Sequence, residues 1–350
     1  MKKLNNISFI KTITMLVVVL YHSMLFYTGN WFTVIKPVKV LNYIDYITTF
    51  INTYTMPIFV FCSGYLFFYQ KRKNNKLGGD IMNLQEKYNK YNNLLIDIKK
   101  RFNRLVIPYI FTSLLWIIPI GIVLFKYTIN DIIKKFVLGM SPSQLWFLLM
   151  LFIVFIINYF LANKLKFTKK EFALIIFITF ILNYLSKYIP NYYQICTSFS
   201  FLIYFYFGGF IYTNSLNIKC SKTMKKILIL LSLISYISLD IIPNEGYIHY
   251  LIIIYKQFVV LLGVITIYIN ISSCNIEKIC SNKIYKMFEN NSFGIYLFHQ
   301  QIIYFIILIF NYILNPIITI VLSFILSITI SNFMVLILQK NKFTKFIFGL

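Results

Sequence analysis

The chain is poor in charge, and poorest in negative charge: 13% of its 350 residues are Asp, Glu, Lys or Arg, with 10 acidic against 34 basic. With 59% hydrophobic residues, too little polar surface remains to coat a water-soluble globule of this length. The five cysteines (Cys62, Cys196, Cys220, Cys274, Cys280) are scattered and odd in number, so no disulfide framework follows from them and no metal site is expected. Also missing are a repeat of fixed period, a pair of Pro-interrupted helices in matching halves, a ring of charges and a filter-like Gly loop. These absences argue against an inverted-repeat transporter and against a channel. No basic face interleaved with aromatics stands in a soluble-looking segment, so no nucleic-acid partner is expected.

What the sequence does have is a series of apolar runs of roughly 18 to 24 residues, each long enough to cross a hydrocarbon core of about 30 Å as a helix. Residues 172 to 182 are apolar on almost every face rather than alternating, which excludes a membrane β-barrel reading. The expected fold is therefore all-α: a single domain over 1–350, a polytopic bundle of about ten transmembrane helices with membrane lipid as its surroundings. The spans fall at roughly 7–28, 44–69, 105–126, 145–163, 172–188, 198–213, 226–242, 250–271, 291–312 and 316–338. With a cytoplasmic N-terminus, 26 of the 34 Lys and Arg lie in inside segments. Lys36, Lys39, Lys126, Lys134, Lys135 and Lys187 lie outside, and Lys11 and Lys256 within spans. That asymmetry predicts both termini in the cytoplasm; the expected location is the plasma (cytoplasmic) membrane, crossed many times. The first run carries a Lys and a His and no small-residue cleavage site after it, so it reads as a retained helix.

Two segments between spans have structure of their own. The basic stretch 70–104 spaces Leu84, Tyr88, Tyr91, Leu94, Leu95 and Ile98 as an amphipathic helix would, lying along the cytoplasmic face. Residues 127–143 have an interfacial look (Ile132, Ile133, Phe136, Val137) and end in a turn at Gly139, Met140, Ser141 and Pro142.

Ionisable groups inside a bilayer cost about 2.5 kcal/mol or more each at mid-depth, so those that persist are functional candidates. Lys11 and His22 lie in the first span, Lys256 in the eighth and His299 in the ninth; Asp45, Asp240 and His249 fall where water solvates them. At about 100° per residue, Lys11 and His22 return to nearly the same helix face about 16 Å apart along the axis. The pair suits a cationic anchor near the cytoplasm and a proton-transferring imidazole beyond mid-depth. The alternatives remain open: Lys11 snorkelling to headgroups, and His22 and His299 bonded to neighbouring helices.

The stretch Ile10, Lys11, Thr12 through Tyr21 and His22 resembles the first-helix signature of the membrane acyltransferase-3 family, an Arg followed ten residues later by His. Lys11 stands at the Arg position, which keeps the charge and loses the bidentate fork. The resemblance runs along almost the whole chain. Met56 to Leu66, with Pro57, Ser63 and Gly64, looks like the second-helix pattern, and Arg101 to Pro108 like the Arg-x-x-Arg-Leu-x-x-Pro approach to the third helix. Gln144, Leu145, Trp146, Phe147 and Leu148 are similar to His-Leu-Trp-Phe/Tyr-Leu with Gln for His. Phe207, Gly208 and Gly209 form a later landmark, and Tyr296 to His299 resembles Tyr-Leu-x-His. Lys256 matches none of these patterns.

The resemblance implies a membrane O-acyltransferase that moves a short acyl group, most often acetyl, from cytoplasmic acyl-coenzyme A to a sugar hydroxyl of a surface polysaccharide or lipid-linked glycan. It implies His22 as catalytic base, acting directly or through an acyl-carrying step. Lys11, Arg101 and Arg104 would bind the acyl-coenzyme A, with Ser63, Gly64, Trp146, Tyr296 and His299 in support. Acetyl-coenzyme A enters as donor substrate, with no bound cofactor. Arg101 and Arg104, three residues apart, can face one phosphate, although on spacing alone ordinary flanking positive charge is the favoured reading. Ser63 and Gly64 also read as helix packing, and Trp146 as an interfacial anchor. The chain is expected to stand alone, without a fused extracellular domain. Some relatives are thought to export material, so a glycan flippase or exporter is the competing reading.

Overall fold

The computed structural model describes residues 2–29, 31, 34–76, 84–161, 165, 167–214, 220–242 and 248–350, and among them contains helices and turns but no strand. The long helices are α1 (Lys2–Leu25), α2 (Asn42–Lys76) and α3 (Leu84–Thr112), which continues through a π turn, Ser113–Ile117, into α4 (Ile118–Phe125). The short α5 (Ile129–Ile132) precedes α6 (Trp146–Leu161), α7 (Lys169–Leu185), α8 (Ile195–Thr213), α9 (Lys222–Ile241) and α10 (Ile248–Ser273). The chain closes with α11 (Glu277–Ser281), α12 (Lys283–Phe310), α13 (Pro316–Leu338) and α14 (Lys342–Ile347).

Local chemistry sets these boundaries. The first helix contains no Gly or Pro and its continuation ends where Gly29 takes φ 79°. Thr168 and Glu171 cap each other's backbone at the start of α7, and Asn315 before Pro316 opens α13. At α5 the Thr128 hydroxyl and backbone N–H both donate to Asp131, at 2.7 and 3.0 Å, and hold its carboxyl below the ordinary value.

Eight helices are long and apolar enough to cross a membrane, among the described residues: Leu4–Thr28, Asn42–Lys71, Leu94–Phe125, Ser143–Leu161, Tyr192–Thr213, Leu251–Ser273, Lys283–Phe310 and Pro316–Leu338. The chain is a multi-pass membrane protein. The remaining two expected spans are helices as well, but α7 has 17 residues, and α9 opens on Lys222, Lys225 and Lys226 and has no buried residue. The expected amphipathic helix over 84–98 does not end before the third span. Nothing between 84 and 107 breaks a helix, so α3 runs on into the span; the side chains of Leu84, Tyr88 and Tyr91 lie outside the described residues. Residues 127–143 fold back onto the bundle, where Phe136 is buried and its carbonyl accepts a 2.6 Å bond from the Tyr109 hydroxyl.

The most extensive helix pair is α2 with α8. A Cβ on Gly64 would come within 2.0 Å of the Phe205 carbonyl oxygen, and one on Gly208 within 2.1 Å of that of Phe61. The two backbones therefore touch through facing glycines. At the centre, α1 packs against α2, α10, α12 and α13. Ten consecutive residues of α12, Gly294 to Ile303, are buried, so protein surrounds that helix on every face there.

Candidate functional site

The crossing of α1 and α12 brings His22 and His299 together. His22 Nδ1 lies 3.1 Å from His299 Nε2, with ring centroids 5.0 Å apart. His299 is fully buried and His22 half-buried. The tautomers follow from the partners. His299 Nδ1 faces two carbonyls, Tyr296 at 2.8 Å and Ile295 at 3.1 Å, which can only accept, so that nitrogen carries the hydrogen. In a neutral ring its Nε2 is then an acceptor, and His22 Nδ1–H donates to it. The lone pair of His22 is left on Nε2, the arrangement required of a base whose orientation is fixed by a third group.

A layer of amides fixes the His299 turn in place. The Gln144 side-chain amide donates to the Leu297 carbonyl at 3.1 Å and to Gln301 at 2.8 Å, while its oxygen accepts from Gln301 at 3.3 Å and from the Ser143 hydroxyl at 2.7 Å. The Tyr296 hydroxyl donates to the Gln144 backbone carbonyl. Ser143 stands at φ 52°, a strained conformation for a residue with a Cβ. From the π turn, Trp116 sets its edge on Phe298, ring centroids 5.8 Å apart. π turns inside α-helices are frequent at functional sites.

At the other end of α1 the structure gathers positive charge. Arg101 and Arg104 of α3 lie within electrostatic reach of Lys11, together with Cys62 and Glu289. Arg101 is committed to protein contacts: its guanidinium sits 4.2 Å over the Phe155 ring, with bonds to the Tyr159 hydroxyl at 3.4 Å and Gln70 at 3.3 Å. Lys11 and Arg104 have no hydrogen-bond or ion-pair partner among the described residues. An ammonium half-buried without a partner is costly, and an anion drawn in beside it would offset that cost.

The geometry thus joins an oriented imidazole pair at one end of α1 to unpaired cations at the other. A family model described as an acyltransferase domain matches residues 4–335. The chain belongs to the acyltransferase-3 family. Searches of curated proteins and of solved structures gave no match.

Within this acyltransferase domain the remaining expected residues are spread apart. Ser63 bonds back to the Phe59 carbonyl at 2.8 Å, and Gly64 serves the contact of α2 with α8. Trp146 packs on Phe201, centroids 5.8 Å apart, and Lys256 is exposed on α10. His249 has its side chain outside the described residues. A cavity of about 430 Å³ between α1, α2, α9 and α10 is lined by apolar side chains, among them Ile13 and Val17, together with Thr14, Thr55, Ser232, Thr266 and Asn270. At 100° per residue Ile13 and Val17 sit well away from His22 around α1. Sequence reasoning missed Ser143, Gln300 and Gln301. Three polar residues in succession, His299, Gln300 and Gln301, inside an apolar span were the available signal.

Proposed function

We propose that this protein transfers a short acyl group, acetyl first among them, from cytoplasmic acyl-coenzyme A to a hydroxyl of a surface glycan or lipid-linked glycan, with His22 as general base. Family membership and the unprotonated Nε2 that the His22–His299 pair leaves carry this reading. Both termini are cytoplasmic, and α7 and α9 complete ten spans. The phosphates of coenzyme A meet Lys11 and Arg104, with Arg101 completing the cluster. The pantetheine arm follows α1 toward His22, over the roughly 16 Å that separates the two side chains along a helix axis. The acceptor hydroxyl arrives from the opposite side of the plasma membrane. His22 Nε2 takes the hydroxyl proton as the oxygen attacks the thioester carbonyl, the new C–O bond forms, and the C–S bond breaks. The coenzyme A thiolate then takes the proton back from the imidazolium, so the enzyme returns to its starting state.

The test is transfer from radiolabelled acetyl-coenzyme A in membranes expressing the wild type, His22→Ala and Arg104→Ala, with label scored in glycan and lipid-linked fractions. Label that depends on both residues supports the reading. Absence of label with every acyl donor offered would overturn it and leave glycan export as the next reading.

A further inference from the structure

At the His22 end of α1, aromatic rings continue outward from the imidazole in an unbroken series. Trp31 lies 6.5 Å from His22 by ring centroid, Tyr304 of α12 lies 4.6 Å from Trp31, and Phe125 at the end of α4 lies 5.1 Å from Tyr304. Tyr127 stacks on Phe125 at 5.8 Å and carries the Lys135 ammonium 4.0 Å over its face. All four rings are half-buried, neither sealed in the core nor fully open. They come from three separate parts of the chain, whereas a belt of lipid anchors would need no contact between its members.

Polar groups accompany the rings. The Tyr304 hydroxyl accepts from the Gln300 amide at 2.8 Å, so its own hydrogen is left with no acceptor among the described residues. The Gln300 oxygen lies 3.3 Å from the Ser143 hydroxyl, sharing its single hydrogen with the nearer Gln144 oxygen, which places this phenol beside the amide layer behind His299. Flat apolar faces interspersed with hydroxyl and amide groups match a pyranose ring, which has C–H groups on its faces and hydroxyls at its rim. A lipid chain would leave the Tyr304 hydrogen unused.

We propose that Trp31, Tyr304, Phe125 and Tyr127 form a track for successive sugar rings, so that the acceptor is an oligosaccharide and not a single sugar. The inference rests on the acyltransferase reading above. Trp31 holds the ring whose hydroxyl faces His22 Nε2. Tyr304, Phe125 and Tyr127 hold the units that follow, and Lys135 ends the track.

The experiment grades envelope glycan of the source cells into fragments of one to about six sugars and offers each as acceptor with radiolabelled acetyl-coenzyme A. For the wild type, kcat/KM rises with fragment length. Tyr127→Ala and Phe125→Ala lower it about tenfold for long fragments, the loss expected when an aromatic anchor is truncated. They leave single sugars, and the KM for acetyl-coenzyme A, unchanged. Trp31→Ala lowers transfer at every length and Trp31→Phe restores most of it, which separates a stacking role from loss of folding. Equal transfer to all lengths by the wild type, or an unaltered length dependence in Phe125→Ala and Tyr127→Ala, overturns the track while the acyltransferase reading stands. Wild-type membranes that label no fragment at all remove both.

Discussion

Replacing His299 with Leu isolates what the second imidazole does. The substitution removes the His299 acceptor for His22 Nδ1–H and leaves the Val18 carbonyl, which His22 also bonds, and His22 itself in place. In the ground state the lost bond joins two neutral rings and contributes about 0.5–1.5 kcal/mol. When His22 takes the acceptor proton it becomes an imidazolium, and the same Nδ1–H bond becomes charge-assisted, with a contribution of about 1.5–3 kcal/mol. The loss therefore falls on the transition state. Only the difference, about 1–1.5 kcal/mol, acts on kcat, so at 1.4 kcal/mol per tenfold kcat should drop about 5- to 12-fold with the KM for acetyl-coenzyme A unchanged. His299→Gln, whose amide oxygen can accept in place of Nε2, should recover part of the rate. The assay is initial-rate transfer of radiolabel in solubilised protein, with thermal unfolding followed alongside because His299 is fully buried. Unchanged kcat in a folded His299→Leu protein would refute the orienting role. A loss equal to that of His22→Ala would show instead that His299 handles the proton itself.

Other outcomes follow from the same structure. Lys11→Ala should raise the KM for acetyl-coenzyme A about 10- to 150-fold, the value of a charge-assisted contact, and Lys11→Arg should not; steady-state kinetics on the donor decides it. Gln144→Leu strands the Gln301 amide and should lower stability by about 2–4 kcal/mol in denaturation experiments, with Gln144→His milder. Gly64→Leu drives a side chain into the Phe205 carbonyl and should reduce the yield of folded protein sharply, as measured by size-exclusion chromatography. The depressed Asp131 carboxyl stabilises the α5 turn at pH values above its unfolded range, and that contribution is lost as pH falls through the lower folded value. Carboxyl carbon NMR should show the Asp131 titration moving back up in Thr128→Val.

The helices were legible because uninterrupted apolar stretches have few other outcomes once lipid is the solvent. Lys11, His22 and His299 stood out for the same reason, as ionisable groups amid Ile, Val and Leu. Their partners did not stand out. The His22–His299 bond joins positions 277 residues apart and depends on how α1 crosses α12, which no local pattern encodes. Gly64 and Ser63 read as ligand approach or, more commonly, as helix packing, and the nearness of the Phe205 backbone gives Gly64 to packing. Trp31 carries no periodic signal because it sits outside the helices. Gln144, at a position where relatives commonly have His, showed its part only through the four hydrogen bonds its side-chain amide makes.

The glycine seam between α2 and α8 also bears on how the protein is made. Its two halves are separated by roughly 140 residues of chain, and at 5–20 residues per second α2 waits in the membrane for roughly 7–30 s before its partner is synthesised. During that interval a face shaped for backbone contact is open to any other helix with small residues. Selection at Gly64 and Gly208 therefore acts first on how many molecules assemble correctly. Substitutions there should appear in cells as a shortage of enzyme, while each molecule that does assemble works at the normal rate.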